Sequence, residues 1–109
     1  MSFVAEYADS EPPVRDIETM AGPAVLEFGN SWCGYCRRAE PLVKEALAIH
    51  EPVRHIRIAD GSGRPLGRSF GVKLWPTLIF LKEGKEVSRL VRPASLAAIL
   101  SALDQIDAR

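Results

Sequence analysis

Cysteine is scarce in this sequence: its 109 residues include only Cys33 and Cys36. A structural zinc site needs four ligands, and the chain has no second cysteine pair to complete one. Its two histidines, His50 and His55, match no familiar ligand spacing to the cysteines. The composition therefore argues against zinc. No metal, flavin or nucleotide site is visible in the sequence either, so we expect no cofactor.

An excess of charge of either sign is also absent. Fourteen basic side chains balance fourteen acidic ones, for a formal net charge of zero. The charge balance gives no electrostatic reason to expect nucleic acid or an anionic membrane as a partner. No apolar run approaches the ~20 residues that a bilayer-spanning helix needs. We expect neither a nucleic-acid nor a membrane partner.

A secretory signal is the third missing feature. The opening residues, MSFVAEYADSEPP, lack a basic start followed by an apolar stretch, and the initiating Met1 argues against a signal already removed. We therefore expect a cytoplasmic protein. In that compartment two close cysteines are more often catalytic, redox-active or metal-binding than a structural staple. The length favours one domain over residues 1–109.

The apolar pattern predicts strands alternating with helices. Pro41 is expected to kink the helix that follows the cysteines, and Ser95 is a candidate N-cap of the last helix. The result is an α/β fold with a mixed central sheet and helices on both faces. The predicted elements are an edge strand at 3–7, a helix at 10–22, a strand at 24–28, a helix through Pro41, a strand at 53–59, a loop at 60–67, antiparallel strands at 77–81 and 86–92, and a helix from Ser95.

The cysteine pair could be a redox centre, half of a metal site or two inert thiols. It lies between a predicted strand and a predicted helix, and a helix begins with free backbone N–H groups and partial positive charge. Both favour a thiolate at Cys33, and the neighbouring Arg37 and Arg38 add positive charge. Two intervening residues bring Cys36 within disulfide reach. We therefore predict a redox centre in which Cys33 attacks a disulfide and Cys36 resolves the mixed disulfide.

Two segments carry a resemblance to a known family. AVLEFGNSWCGYCRRAEPLV resembles the active-site segment of the thioredoxin superfamily, with Trp32 before the first cysteine and Pro41 five residues after the second. WPTLIFLKEGKEV resembles the family's cis-proline hallmark. The match runs from residue 24 to about 105. It implies a thioredoxin-like three-layer fold, a central sheet between layers of helices.

The resemblance also implies a function. It indicates a thiol–disulfide oxidoreductase, a protein-disulfide reductase that acts on disulfide-containing protein substrates. An external reductase of the thioredoxin reductase type would regenerate it, and we expect a monomer. One alternative is a disulfide isomerase or oxidase, although an isomerase usually needs a dimer or a second domain. Another is a thioredoxin-fold binding module whose cysteine chemistry is incidental.

Three further site residues follow from the resemblance. Pro76 matches the cis-proline, and the backbone of the preceding residue, here Trp75, pairs with the substrate chain in the family. A trans proline opening an edge strand and a tryptophan packed on the loop at 60–67 are the alternatives. Glu27 matches the buried acid thought to exchange protons with the second cysteine, here Cys36. Burial disfavours the charged form of a carboxyl, and a buried Glu27 would therefore suit proton exchange. The alternative is a Glu27 that faces solvent.

The remaining site residues lie around the cysteines. We expect Trp32 to shield the disulfide and present partner proteins, or to belong to the core. The dipeptide Gly34-Tyr35 replaces the Gly-Pro of typical thioredoxins and resembles the centre of periplasmic disulfide isomerases. This departure predicts a somewhat more oxidising protein, unless Tyr35 only offers partners a flat surface. Arg92 replaces a family glycine near the substrate groove, where it would favour acidic or carboxylate-bearing substrates or be an ordinary solvated arginine.

Gly29 is a further departure from the family. It stands where many thioredoxins carry a second tryptophan, so one aromatic wall of the site is predicted to be missing.

Overall fold

A four-stranded mixed sheet organises the chain. The computed structural model describes residues 3–107. Strand β1 (Pro23–Gly29) is central; it pairs in parallel with β2 (Arg54–Ala59) and antiparallel with β3 (Thr77–Lys82), and β4 (Lys85–Val91) forms the other edge. The apolar run in β1 suits a strand covered on both faces, and Ala24 to Gly29 are all buried. The four strands of the prediction that lie at 24–28, 53–59, 77–81 and 86–92 are confirmed.

Helices cover both faces of this sheet. Helix α2 (Gly34–Ile49) and helix α4 (Leu96–Ile106) pack on one face, where Val25 and Phe80 join Leu47 and Ile99 in one apolar cluster. Helix α1 (Val14–Glu18) and helix α3 (Pro65–Ser69) cover the other face, in a cluster with β1. The predicted α/β architecture is confirmed. In the described part of the chain, no helix is long and apolar enough to cross a membrane.

Two helices lie where the sequence predicts them. Helix α2 runs continuously through Pro41, and Ser95 caps α4 by accepting the Ala98 backbone N–H on its side-chain oxygen at 3.2 Å. At the far end of both helices, buried His50 Nδ1 lies 2.7 Å from Asp107 Oδ2. This contact joins the end of α2 to the end of α4. The kink at Pro41 stays a prediction.

The N-terminal strand predicted at 3–7 is wrong. The segment docks on β2 through side chains instead, because Arg57 Nη1 donates to the Ala5 carbonyl at 2.7 Å and His55 Nδ1 accepts the Val4 N–H at 2.8 Å. Sheet-like pairing is limited to an isolated parallel bridge between Ala8 and Ile58. The buried Arg57 therefore takes the place of a strand partner for this segment.

Two further boundaries differ from the prediction. The helix predicted at 10–22 is only Val14–Glu18, because Pro13 holds the residue before it away from helical geometry and Thr19 already ends the helix. The loop predicted at 60–67 contains the start of α3, which begins with Pro65. Proline suits a first helical position because the N–H that it lacks has no partner there. Because glycines surround Pro65, the composition of this segment predicts a loop rather than a short helix.

Candidate active site

The two cysteines lie at the junction between strand β1 and helix α2. Cys33 is the N-cap of α2, and its sulfur accepts the Cys36 backbone N–H at 3.3 Å. That bond satisfies one of the free donors at the helix start and places positive polarity against the Cys33 sulfur. Both residues are free thiols. The predicted strand-to-helix position of the pair is confirmed.

Cys36 is the more deeply buried of the two. It is 1% exposed, against 7% for Cys33. Burial, and then a hydrogen bond with the Cys33 side chain, raise the pKa of the Cys36 thiol to about 12. Cys36 is therefore a protonated thiol at neutral pH. A resolving attack from this position first requires the loss of that proton.

Tyr7 and Gly29 form the wall around the Cys36 sulfur. The Tyr7 hydroxyl contacts the thiol and stabilises its charged form, which partly opposes the rise in its pKa. A Cβ atom at Gly29 would lie 2.6 Å from the Cys36 sulfur and 3.2 Å from the Tyr7 oxygen. Glycine at 29 is therefore what lets the thiol and the phenol approach each other. Tyr7 supplies an aromatic ring beside the position where the sequence predicts a missing aromatic wall.

The buried carboxylate of Glu27 is held by two side chains of β2. Glu27 is 0% exposed, so its predicted burial is confirmed. Its Oε1 lies 2.8 Å from His55 Nε2 and 3.3 Å from Arg57 Nε. Since His55 Nδ1 already accepts the Val4 N–H, Nε2 carries the proton and donates to Glu27. Arg57 supplies the positive charge that a buried carboxylate needs.

Arg57 connects this carboxylate to the wall of the thiol pocket. Its Nη2 donates to the Tyr7 oxygen at 2.8 Å, and its guanidinium carbon lies 4.0 Å from the centre of the Tyr7 ring. Burial, and then the negative charge of Glu27, raise the pKa of Tyr7, so its hydroxyl keeps its proton and can donate to Cys36. In the described residues, Tyr7 rather than Glu27 touches the Cys36 thiol. Proton exchange between Glu27 and Cys36 stays a prediction.

Trp32, which directly precedes Cys33, contacts a second tryptophan. Trp32 is 71% exposed, and its ring meets the Trp75 ring edge-on with the centroids 5.5 Å apart. Trp75 Nε1 donates to Asp60 Oδ2 at 2.9 Å, so Trp75 does pack on the loop at 60–67. The Trp75–Pro76 bond is cis, as predicted. A cleft of about 740 Å³ opens beside them, and its walls include Tyr7, Trp32 and Cys36.

Tyr35, which lies between the cysteines in the sequence, contacts two arginines. The guanidinium carbon of Arg92 lies 3.8 Å from the centre of the Tyr35 ring, and that of Arg38 lies 4.6 Å from it. Arg92 Nε also donates to the Trp75 carbonyl at 2.9 Å. Arg92 thus links the cis-proline loop to the dipeptide between the cysteines. The nearest atom to a Cβ built on Gly34 would be Arg38 Nη1, at 3.9 Å.

The structure brings the predicted site residues together. Contacts tie Trp32 to Trp75 and Tyr35 to Arg92, while Glu27 reaches the cysteines only through the Arg57–Tyr7 pair. Tyr7 and Arg57 are site residues that the sequence did not predict. One pattern in the sequence does point to Arg57. His55 and Arg57 lie two residues apart on a buried strand beside the one that carries Glu27. No local pattern marks Tyr7, because its partners lie far away in the sequence.

The comparisons with known proteins agree with this geometry. The family model described as Thioredoxin matches residues 10–105. The chain belongs to the thioredoxin family. Among curated relatives, it is 26% identical to thioredoxin 1 of Synechococcus elongatus over 106 residues, covering 96% of this chain and 98% of that protein. It is 42% identical to the thioredoxin of Chlamydia muridarum over 73 residues, or 65% of this chain and 70% of that one.

Solved thioredoxin structures share the fold. Thioredoxin 2 from Pseudomonas aeruginosa PAO1, in its reduced form, superposes with a TM-score of 0.85 and 42% identity, covering 95% of this chain and 96% of that one. A thioredoxin mutant from Halobacterium salinarum superposes with a TM-score of 0.76 at 23% identity, covering 94% and 90%, which supports the fold alone. The predicted thioredoxin-like fold is confirmed.

Family membership establishes the reaction class. Together with the Cys33–Cys36 pair, the relatives show a thiol–disulfide oxidoreductase with protein-disulfide reductase activity. The family implies disulfide-containing substrates and a thioredoxin reductase as the electron source. The prediction of an oxidoreductase is confirmed, and the roles of the individual site residues stay predictions.

Proposed function

We propose that Cys33 is the nucleophile and Cys36 the resolving thiol in the reduction of protein disulfides. The observation that carries this assignment is the Cys36 N–H donated to the Cys33 sulfur at the start of α2. A thiolate is stabilised by such a donor and by the positive end of the helix. Cys36 is buried and its pKa is raised to about 12, so we assign it as the thiol that reacts in the second step.

The exchange runs in two displacement steps. The Cys33 thiolate attacks one sulfur of the substrate disulfide; that S–S bond breaks, and the other substrate sulfur leaves as a thiolate and takes a proton from water. Cys36 then loses its proton and attacks the Cys33 sulfur, which releases the second substrate thiol. Two electrons pass to the substrate, and the Cys33–Cys36 disulfide remains. An external thioredoxin reductase returns the two electrons.

We assign the exposed residues around Cys33 to substrate contact. Trp32 and Tyr35 are 71% and 48% exposed, and they precede Cys33 and Cys36 directly in the sequence. Trp75 and Pro76 form the adjoining loop, in which the Trp75 carbonyl is occupied by Arg92 Nε. We place the protein in the cytoplasm as a monomer.

Single-cysteine variants test the assignment. Cys33→Ser should abolish disulfide reduction, whereas Cys36→Ser should still attack the substrate and accumulate a mixed disulfide that mass spectrometry detects. The reverse pattern, in which Cys36 forms the adducts, would contradict the assignment. Full turnover by the Cys33 variant would remove the dithiol mechanism altogether.

A further inference from the structure

Two arginines converge on the ring of Tyr35. Arg38 and Arg92 come from different elements, α2 and the segment after β4, yet both guanidinium groups contact the Tyr35 ring. Tyr35 itself stands between the two cysteines in sequence. Both guanidinium groups therefore lie against the residue that separates the two cysteines in the sequence.

Arg92 is fixed in place by its own backbone and side chain. Its N–H donates to the Pro76 carbonyl at 2.9 Å, and its Nε donates to the Trp75 carbonyl at 2.9 Å. Its φ of 51° is uncommon for a residue with a side chain. These bonds hold the guanidinium over Tyr35 at little further entropic cost. Within residues 3–107 no hydrogen bond is made by its Nη groups, which are therefore available to a ligand.

Neither arginine is neutralised within the part of the chain that the structure describes. No aspartate or glutamate of residues 3–107 forms an ion pair with Arg38 or Arg92, whereas Arg57, Arg64 and Arg89 each have such a partner. The cleft between Arg38 and Arg92, about 440 Å³ in volume, has no acidic residue among its described walls. The cleft on the Tyr7 side contrasts with it, since Glu6, Asp9, Glu40 and Asp60 line that one.

We propose that Arg38, Tyr35 and Arg92 form a carboxylate-binding subsite that selects disulfide substrates with acidic residues beside the cystine. The proposal rests on the proposed function, because the subsite is useful only if Cys33 attacks the neighbouring sulfur. Guanidinium groups bind carboxylates through paired, charge-assisted hydrogen bonds. The methylenes of a Glu side chain would lie in the same cleft, against Leu42 and Ala39.

The test compares two oxidised peptides that differ only beside their disulfide, with two Glu residues in one and two Gln residues in the other. The readout is the ratio of their kcat/KM values. For the wild-type protein we expect a preference of roughly fivefold for the Glu peptide, the scale of an exposed ion pair, mainly through KM. The ratio should fall toward one in Arg38→Gln and Arg92→Gln, and in wild-type protein at high salt.

Arg37→Gln is the matched control, because it removes the same charge one residue away. Arg37 lines the other cleft, the one that Tyr7 also lines, so this variant should keep the wild-type ratio. The proposal is overturned if the wild type reduces both peptides equally, or if Arg37→Gln lowers the ratio as much as Arg38→Gln does. Equal reduction leaves the proposed function intact, whereas failure to reduce either peptide removes both. The exposed Arg38 and the salt series keep the test decisive if the Arg92 variant misfolds.

Discussion

At the scale of single residues, the environment of Cys36 sets the cost of the second chemical step. The buried thiol must lose its proton before it can attack, and its raised pKa makes that loss unfavourable at neutral pH. The Tyr7 hydroxyl works in the opposite direction, because a hydrogen bond to the thiolate stabilises the charged form. Arg57 donates a hydrogen bond to the Tyr7 oxygen and makes a cation–π contact with the Tyr7 ring. Tyr7 is thus a positioning residue for the resolving thiol.

Replacing Tyr7 by Phe tests this role. The ring that covers Arg57 remains, but the hydroxyl is lost, so the pKa of Cys36 should rise further and the resolution of a preformed mixed disulfide should slow by roughly tenfold, the scale of a hydrogen bond to a charged group. Stopped-flow thiol release measures this step. Formation of the mixed disulfide in a Cys36→Ser background is the internal control.

The pH dependence of resolution follows from the same pKa. Because Cys36 reacts as its thiolate, and the burial that is the main cause of its raised pKa persists in the mixed disulfide, the rate of resolution should rise with pH through neutrality and beyond the ordinary thiol pKa of 9.0. A plateau near pH 9 in the wild-type protein would contradict the account. So would a Tyr7→Phe variant whose rate and pH profile match the wild type.

At the scale of secondary-structure elements, a tight turn fixes the short helix α1 to the sheet. The turn between β3 and β4 contains Gly84, and a Cβ there would collide with the backbone carbonyl of Glu18 at the end of α1. The Glu83 N–H donates to the Gly22 carbonyl at 3.1 Å, and Glu83 Oε2 accepts the Gly22 N–H at 2.9 Å. A helix of five residues is marginal alone, so this docking stabilises it.

Substitution of Gly84 by Ala should therefore cost more than its backbone angle alone explains. Gly71 is the matched control, because its φ is +71° against +77° for Gly84 and a Cβ there meets nothing within 4 Å. We expect Gly71→Ala to lower the free energy of unfolding by about 1 kcal/mol, and Gly84→Ala by roughly 1–3 kcal/mol more. Urea denaturation measures both. Equal losses would mean that α1 is not held by this contact.

The elements that the sequence predicted well are those whose signal is local. The apolar runs at 24–28 and 77–81 and the cap at Ser95 each contain the information that forms the element. The N-terminal segment lacks such a signal. Its apolar residues suggested a strand, but its backbone bonds go to the side chains of His55 and Arg57, about fifty positions away.

At the scale of the whole molecule, the site combines a motif that the sequence predicts with surrounding polar residues that it does not predict. The Cys33–Cys36 pair and Pro76 stand out because a few neighbouring residues define each of them. The Glu27–Arg57–Tyr7 chain does not, because it joins β1, β2 and the N-terminal segment across long separations. The register that sets Glu27 opposite Arg57 is a property of the folded sheet. Only the fold shows which polar groups surround Cys36.

The most direct test of the account is the reduction potential of the Cys33–Cys36 couple. It is measured by equilibration in glutathione and dithiothreitol buffers, with mass spectrometry to count free thiols. We predict that the two thiols disappear together, at a potential somewhat above the −270 mV of thioredoxin but well below about −180 mV. A value near −180 mV or higher belongs to isomerases and oxidants and would contradict a reductase. Loss of one thiol without the other would contradict the dithiol mechanism itself.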